Sequence, residues 1–146
     1  MMFKIIPFVL LLAIVAVSCS KEADQAAPQE TPVNRQVVFS VYAARDYSAP
    51  TFRQIETSLT LTAGVMNIET GMFTKTWDTV ITRSILDFPL EEQALTIEKS
   101  IPLRLNKERV QVAHSIRYNN NGQLSQTANF ETLPVDQLRH LKKIGL

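Results

Sequence analysis

Cysteine occurs once in the 146 residues, so one copy of the chain cannot staple itself with a disulfide, and its stability must come from a packed core. Glycine is also scarce, at 4 residues, which leaves no glycine-rich loop to cradle a phosphate. Charge of one sign is missing as well. The formal net charge is +1, and Lys4 is the only charged residue ahead of Cys19, so the chain behind it balances its 14 acidic residues with as many basic ones. Nucleic-acid binding usually demands a basic patch, and nothing here supplies one or favours an acidic lipid surface. There is no apolar run of the about twenty residues that a transmembrane helix needs. What is present is a globular balance, 45% hydrophobic and 20% charged. Its length suits one domain better than two.

The N-terminus carries the most specific pattern. Lys4 precedes a short apolar stretch, including Phe8-Val9-Leu10-Leu11-Leu12-Ala13-Ile14-Val15, which ends in the small residues Ala16-Val17-Ser18 before Cys19. A positive start, a short apolar region and small residues read as an export signal. Ala16-Val17-Ser18-Cys19 resembles the lipobox of bacterial lipoprotein precursors, with Ala16 where that family prefers Leu. The resemblance implies a diacylglycerol on the Cys19 thiol and removal of residues 1–18. A lipid with two or more acyl chains anchors stably, whereas one chain holds marginally. Ser20-Lys21-Glu22-Ala23-Asp24 resembles the Lys-then-acid tethers of Bacteroidota surface lipoproteins. Together these imply a protein of the cell envelope, lipid-anchored at the outer membrane and facing either the periplasm or the surface. Residues 19–34, with Pro28 and Pro32 and no apolar period, are expected to be a flexible tether. The domain is expected over residues 35–146, roughly 110 residues, enough to bury a core.

From Gln36 onward apolar residues alternate with polar ones, the period of a half-buried strand. Val37, Phe39, Val41 and Ala43 form one such row. Ile55, Thr57, Leu59, Leu61, Ala63 and Val65 form the clearest. Phe73, Trp77, Ile81 and Ile85 recur every four residues, as a helix could arrange, but Thr74, Thr76, Thr79, Val80 and Thr82 favour strand because branched side chains fit a pleat. Leu95, Ile97, Ile101, Leu103 and Leu105 continue the alternation, with Lys99 out of pattern and Pro102 marking an edge or bulge. Val110, Val112, His114, Ile116 and Tyr118 make another strand, and Asn119-Asn120-Asn121-Gly122 is a hairpin signal leading to Leu124, Ala128 and Phe130. Pro134, with Val135, Leu138 and Leu141 on one face and Lys142 and Lys143 behind them, predicts a short C-terminal helix. The expected fold is all-β: an antiparallel sandwich, immunoglobulin-like or transthyretin-like, with a short C-terminal helix, or alternatively a small β-barrel. True immunoglobulin domains carry a Cys-Trp-Cys core, and its cysteines are absent.

Chemistry finds little purchase. His114 and His140 fall on different elements without the three or four converging ligands of a zinc site. Asp46, Asp78, Asp87 and Asp136 start no calcium loop, Glu91-Glu92 are neighbours in a loop, and there is no Gly-x-Ser-x-Gly elbow. No catalytic residue, metal ligand or cofactor site is assigned, and a non-enzymatic module is expected. Aromatic residues are the best contacts for a ligand or partner: Tyr47 and Phe52 around a loop, Trp77 and Tyr118 on strands, each also suited to packing. Asp78-Thr79-Val80 resembles the O-glycosylation motif of exported Bacteroidota proteins, which implies a glycan on Thr79. The expected partners are the membrane, through the lipid on Cys19, and an envelope protein or glycan, with no nucleic acid. A pilus-like adhesive subunit and a carrier or hydrolase built around His114 or Trp77 are the alternatives.

Overall fold

A computed structural model describes residues 30–146, and Cys19 with the leader and most of the tether lies outside them. The described chain forms seven strands: β1 (Val33–Tyr42), β2 (Ile55–Asn67), β3 (Phe73–Ser84), β4 (Leu95–Leu103), β5 (Glu108–Asn120), β6 (Gln123–Thr132) and β7 (Arg139–Gly145). They make two sheets, ordered β4-β1-β7 and β3-β2-β5-β6. All pairings are antiparallel except β1 with β7, which is parallel. Two open sheets replace the barrel alternative.

Alternation explains the layers. Val37, Phe39 and Val41 of β1 and Leu59, Leu61 and Ala63 of β2 are wholly buried, and Ile101, Val112, Ile116 and Ile144 join them in one core between the sheets. Lys99 breaks the apolar pattern of β4 without breaking the fold, because its ammonium lies 5.0 Å from the centroid of the Trp77 ring. Asn121 and Gly122 both take positive φ, and Asn119 Oδ1 accepts from the Gly122 N–H, so the two-residue turn between β5 and β6 has the geometry that a twisted hairpin needs. Gly64 sits at a shift of register between β2 and β3. A Cβ there would come within 2.3 Å of the Thr74 carbonyl oxygen. β1 starts at Val33, inside the stretch expected to be tether.

The predicted C-terminal helix is absent. Residues 133–138 are a loop, and the chain then enters β7, where Gln36 pairs with Arg139 and Val41 with Ile144. Val135, Leu138 and Leu141, the expected buried face, are exposed. The reason is tertiary. Without β7, β1 would have an open side, and its buried backbone groups require partners. Arg35 adds to this: its guanidinium donates to the carbonyls of Pro134 and Gln137 and fixes the loop that leads in.

Strand directions give the domain two distinct ends. The start of β1, the β2–β3 and β4–β5 turns and the 133–138 loop share one end, where Glu30 Oε1 accepts from the Asn106 N–H at 3.1 Å. The β1–β2 and β3–β4 connections, the β5–β6 hairpin and Leu146 share the other.

Candidate functional site

The second end holds a cleft of roughly 750 Å³, counting its open mouth, between residues 43–48 with Arg53 on one side and residues 85–90 on the other. Local chemistry shapes both walls. Asp46 Oδ1 accepts from the Ser48 N–H at 2.8 Å and its Oδ2 from the Ser48 hydroxyl at 3.0 Å, which curls the first wall. Tyr47 donates its hydroxyl to the Leu146 carbonyl at 2.6 Å and meets the Phe52 ring edge-to-face, centroids 5.1 Å apart. The Arg45 guanidinium lies 4.9 Å from the Tyr47 ring centroid and 5.1 Å from that of Phe52. In the second wall Ser84 Oγ accepts from the Leu86 N–H and starts a short 3-10 turn, Ile85–Asp87. Arg83 covers the Phe88 ring at 5.2 Å.

The floor is apolar: Ile85 and Phe88 are buried, while Leu86 and Leu90 stand exposed at the rim. The charge is cationic, from Arg45 and Arg53 with Arg83 behind Phe88. Asp46 is the only acid in the lining, and both its oxygens are engaged by Ser48. Among the described residues none of the three arginines forms an ion pair. An apolar floor beside unpaired guanidinium groups can hold a molecule with an anionic head and an apolar body, since Arg presents a fork of donors to oxyanions. Ser48 donates its hydroxyl to the Asp46 carboxylate, and both histidines lie outside the lining.

The aromatic candidates divide. Tyr47 and Phe52 flank the cleft wall, and Tyr118 approaches them from β5. Burial first, and then the nearby Tyr47, raise the Tyr118 pKa, while Arg45 opposes, so its phenol stays protonated. Trp77 stands apart, packed on Phe39 with centroids 5.9 Å apart and beneath Lys99. Thr79 is half-buried on the inner side of β3, opposite Leu61. Sequence reading passed over Arg45, Arg53, Phe88 and Leu90. The available signal was Arg45 two residues before Tyr47 in a loop. That the 85–90 loop closes the same cleft is a tertiary fact.

The two histidines belong to a different cluster. His140 and Lys142 on β7 face Glu131 of β6, with Lys142 Nζ 2.5 Å from Glu131 Oε2 and His140 Nε2 3.7 Å from Oε1. The hydrogen bond from Lys142 holds the Glu131 carboxyl below its ordinary value, against partial burial. His114, on the inner side of β5, is pushed down by burial and then by the Lys142 charge. This cluster ties the edges of the two sheets together. No group of three or more His, Cys, Asp or Glu side chains among the described residues is placed to hold a metal ion. No protein-family model, curated protein or solved structure matches the chain.

Proposed function

We propose that this protein is a non-enzymatic binding module of the cell envelope, held at the outer membrane by lipid on Cys19 and binding through the cleft at its far end. The ligand class that fits is a small molecule, or exposed group of a larger one, with an anionic head on an apolar or aromatic body. One observation carries the reading: the chain enters the domain at the end opposite the cleft. β1 runs from Val33 beside that entry to Ala43 in the cleft wall, and ten strand residues at about 3.3 Å each separate the two by roughly 33 Å. A tether at one end and an unpaired cationic cleft at the other suit a module that reaches away from its anchor. The two facing sheets are read as a transthyretin-like sandwich. A constant-type immunoglobulin order would group the first, second, fifth and fourth strands and then the third, sixth and seventh. The order β4-β1-β7 and β3-β2-β5-β6 differs from it.

The test is calorimetric titration of the lipidated full chain in nanodiscs with phenyl phosphate, with phenol and phenyltrimethylammonium as controls. Saturable binding of phenyl phosphate is expected, at least tenfold weaker in an Arg45→Gln/Arg53→Gln chain, with neither control binding comparably. Binding that ignores the head charge, or survives the double substitution, would remove the cleft from the account.

A further inference from the structure

Among the described residues four strand edges are open, and three of them carry along their length the devices that discourage pairing with another chain. β3 has Lys75, Asp78, Arg83 and the irregularity opposite Gly64. β4 has Glu98, Lys99 and Pro102, and β7 has Arg139, Lys142 and Lys143. β6 has only Glu131, near its end, which points inward to Lys142 of β7. From Gln123 to Phe130 it contains no charge and no proline, its register with β5 is unbroken, and its side chains are exposed on both faces. Leu124 and Phe130, at 67% and 75% exposure, stand on the same outer side of the strand.

We infer that β6 is the self-association edge of this protein, pairing antiparallel with β6 of a second copy to join two four-stranded sheets into one. The backbone supports this occupant. A two-residue hairpin closes on a hydrogen-bonded pair, here Asn120 with Gln123, so the odd-numbered residues of β6 turn their N–H and C=O groups toward β5. Leu124, Gln126, Ala128 and Phe130 therefore turn theirs to the open edge. The side chains select the register. With a two-fold axis at Thr127, Leu124 lies opposite the partner's Phe130, Phe130 opposite the partner's Leu124, and Gln126 opposite the partner's Ala128. Both exposed apolar side chains are thus covered by each other, twice per dimer, as directly opposed cross-strand pairs. In this register the residues that exchange hydrogen bonds are those whose groups face the edge. No charge meets a like charge, because the one charged residue of β6, Glu131, falls opposite the partner's Gln123. A closed isologous contact of this kind ends at two copies.

The test uses the full chain in detergent with Cys19→Ser, so that an introduced thiol is the only one. Thr127 would sit opposite itself in a non-hydrogen-bonded pair, with Cα atoms about 4.5 Å apart, within disulfide reach. Thr127→Cys is expected to give a covalent dimer under mild oxidation. Gln126→Cys alone is expected to form no covalent dimer, and a mixture of Gln126→Cys with Ala128→Cys chains to crosslink. In sedimentation without crosslinking, Phe130→Lys should raise the dimer dissociation constant at least tenfold with an unchanged far-ultraviolet spectrum. A Thr127→Cys chain that forms no covalent dimer, a Phe130→Lys chain that dimerises like the parent, or crosslinking in cells only to a different polypeptide would overturn the inference.

Discussion

Leu141 and Ile144, three residues apart, separate the strand from the helix that spacing suggests. In β7 Ile144 is buried at 2% exposure, whereas Leu141 is 53% exposed on the outer side. A helix presenting Val135, Leu138 and Leu141 to the core would make Leu141 the buried residue. Ile144→Ala removes the equivalent of three CH₂ groups at about 0.8 kcal/mol each. With the cavity left behind, the loss should be about 3 kcal/mol, within the usual range for such truncations. Leu141→Lys replaces an exposed side chain on a strand that already bears Lys142 and Lys143, and should cost no more than about 0.5 kcal/mol. The assay is urea unfolding followed by the fluorescence of Trp77, the only tryptophan. In thermal melts the first substitution should lower Tm by roughly 10–15 °C and the second by no more than about 2 °C. A Leu141→Lys loss above about 2 kcal/mol would refute the strand assignment and restore the helix, in which Leu141 and Ile144, at i and i+3, would share the buried face.

Gly64→Ala should destabilise by about 2–3 kcal/mol, because its Cβ would drive into the Thr74 carbonyl and the Phe73 ring; urea unfolding measures it. Thr57 is wholly buried with an unpartnered hydroxyl, so Thr57→Val should stabilise by about 1 kcal/mol in the same assay. Both shifted groups of the sheet-edge cluster have folded pKa values below their ordinary ones. The unfolded chain therefore binds the extra protons, and stability falls as pH falls. The His114 contribution should fade below its ordinary 6.5 and that of Glu131 below its ordinary 4.5, giving two stages. His114→Asn should flatten the first stage and Glu131→Gln the second in a pH series of unfolding curves. Cys19→Ala should block processing or release the protein from membranes, seen by intact mass and fractionation; an unchanged mass and membrane fraction would contradict the lipid anchor.

The strands were legible where one side faces the core and the other faces water. β2 alternates from Ile55 to Ala63, β5 buries Val110, Val112 and Ile116 on one side, and the Asn121-Gly122 turn joins β5 to β6 where its conformational preference places it. β3 was decided by its threonines despite a four-residue apolar spacing, and Pro102 marked β4, which lies at an edge. β7 was illegible because a seven-residue segment bearing Arg139, His140, Lys142 and Lys143 shows little alternation of its own, and its conformation is imposed by the open side of β1. The start of β1 was hidden for a related reason. Arg35 occupies an inward position and is buried by donating to carbonyls of another loop, a pattern that hydropathy counts as polar. At the cleft, Tyr47 and Phe52 were visible as aromatic loop residues, but their value depends on Arg45 stacking over them and on residues 85–90 closing the far wall. Lys99 was visible only as an exception, and the Trp77 ring explains it.

The most direct measurement of binding at the far end is residue-resolved chemical-shift mapping of the isotope-labelled full chain in nanodiscs, with phenyl phosphate added. Binding at the cleft shifts the amides of Arg45, Ser48, Leu86, Phe88 and Leu90 and leaves those of Thr60, Ser115 and Ala128, in the middle of the opposite sheet, unmoved. Shifts confined to that sheet, or none at saturating probe, would contradict it.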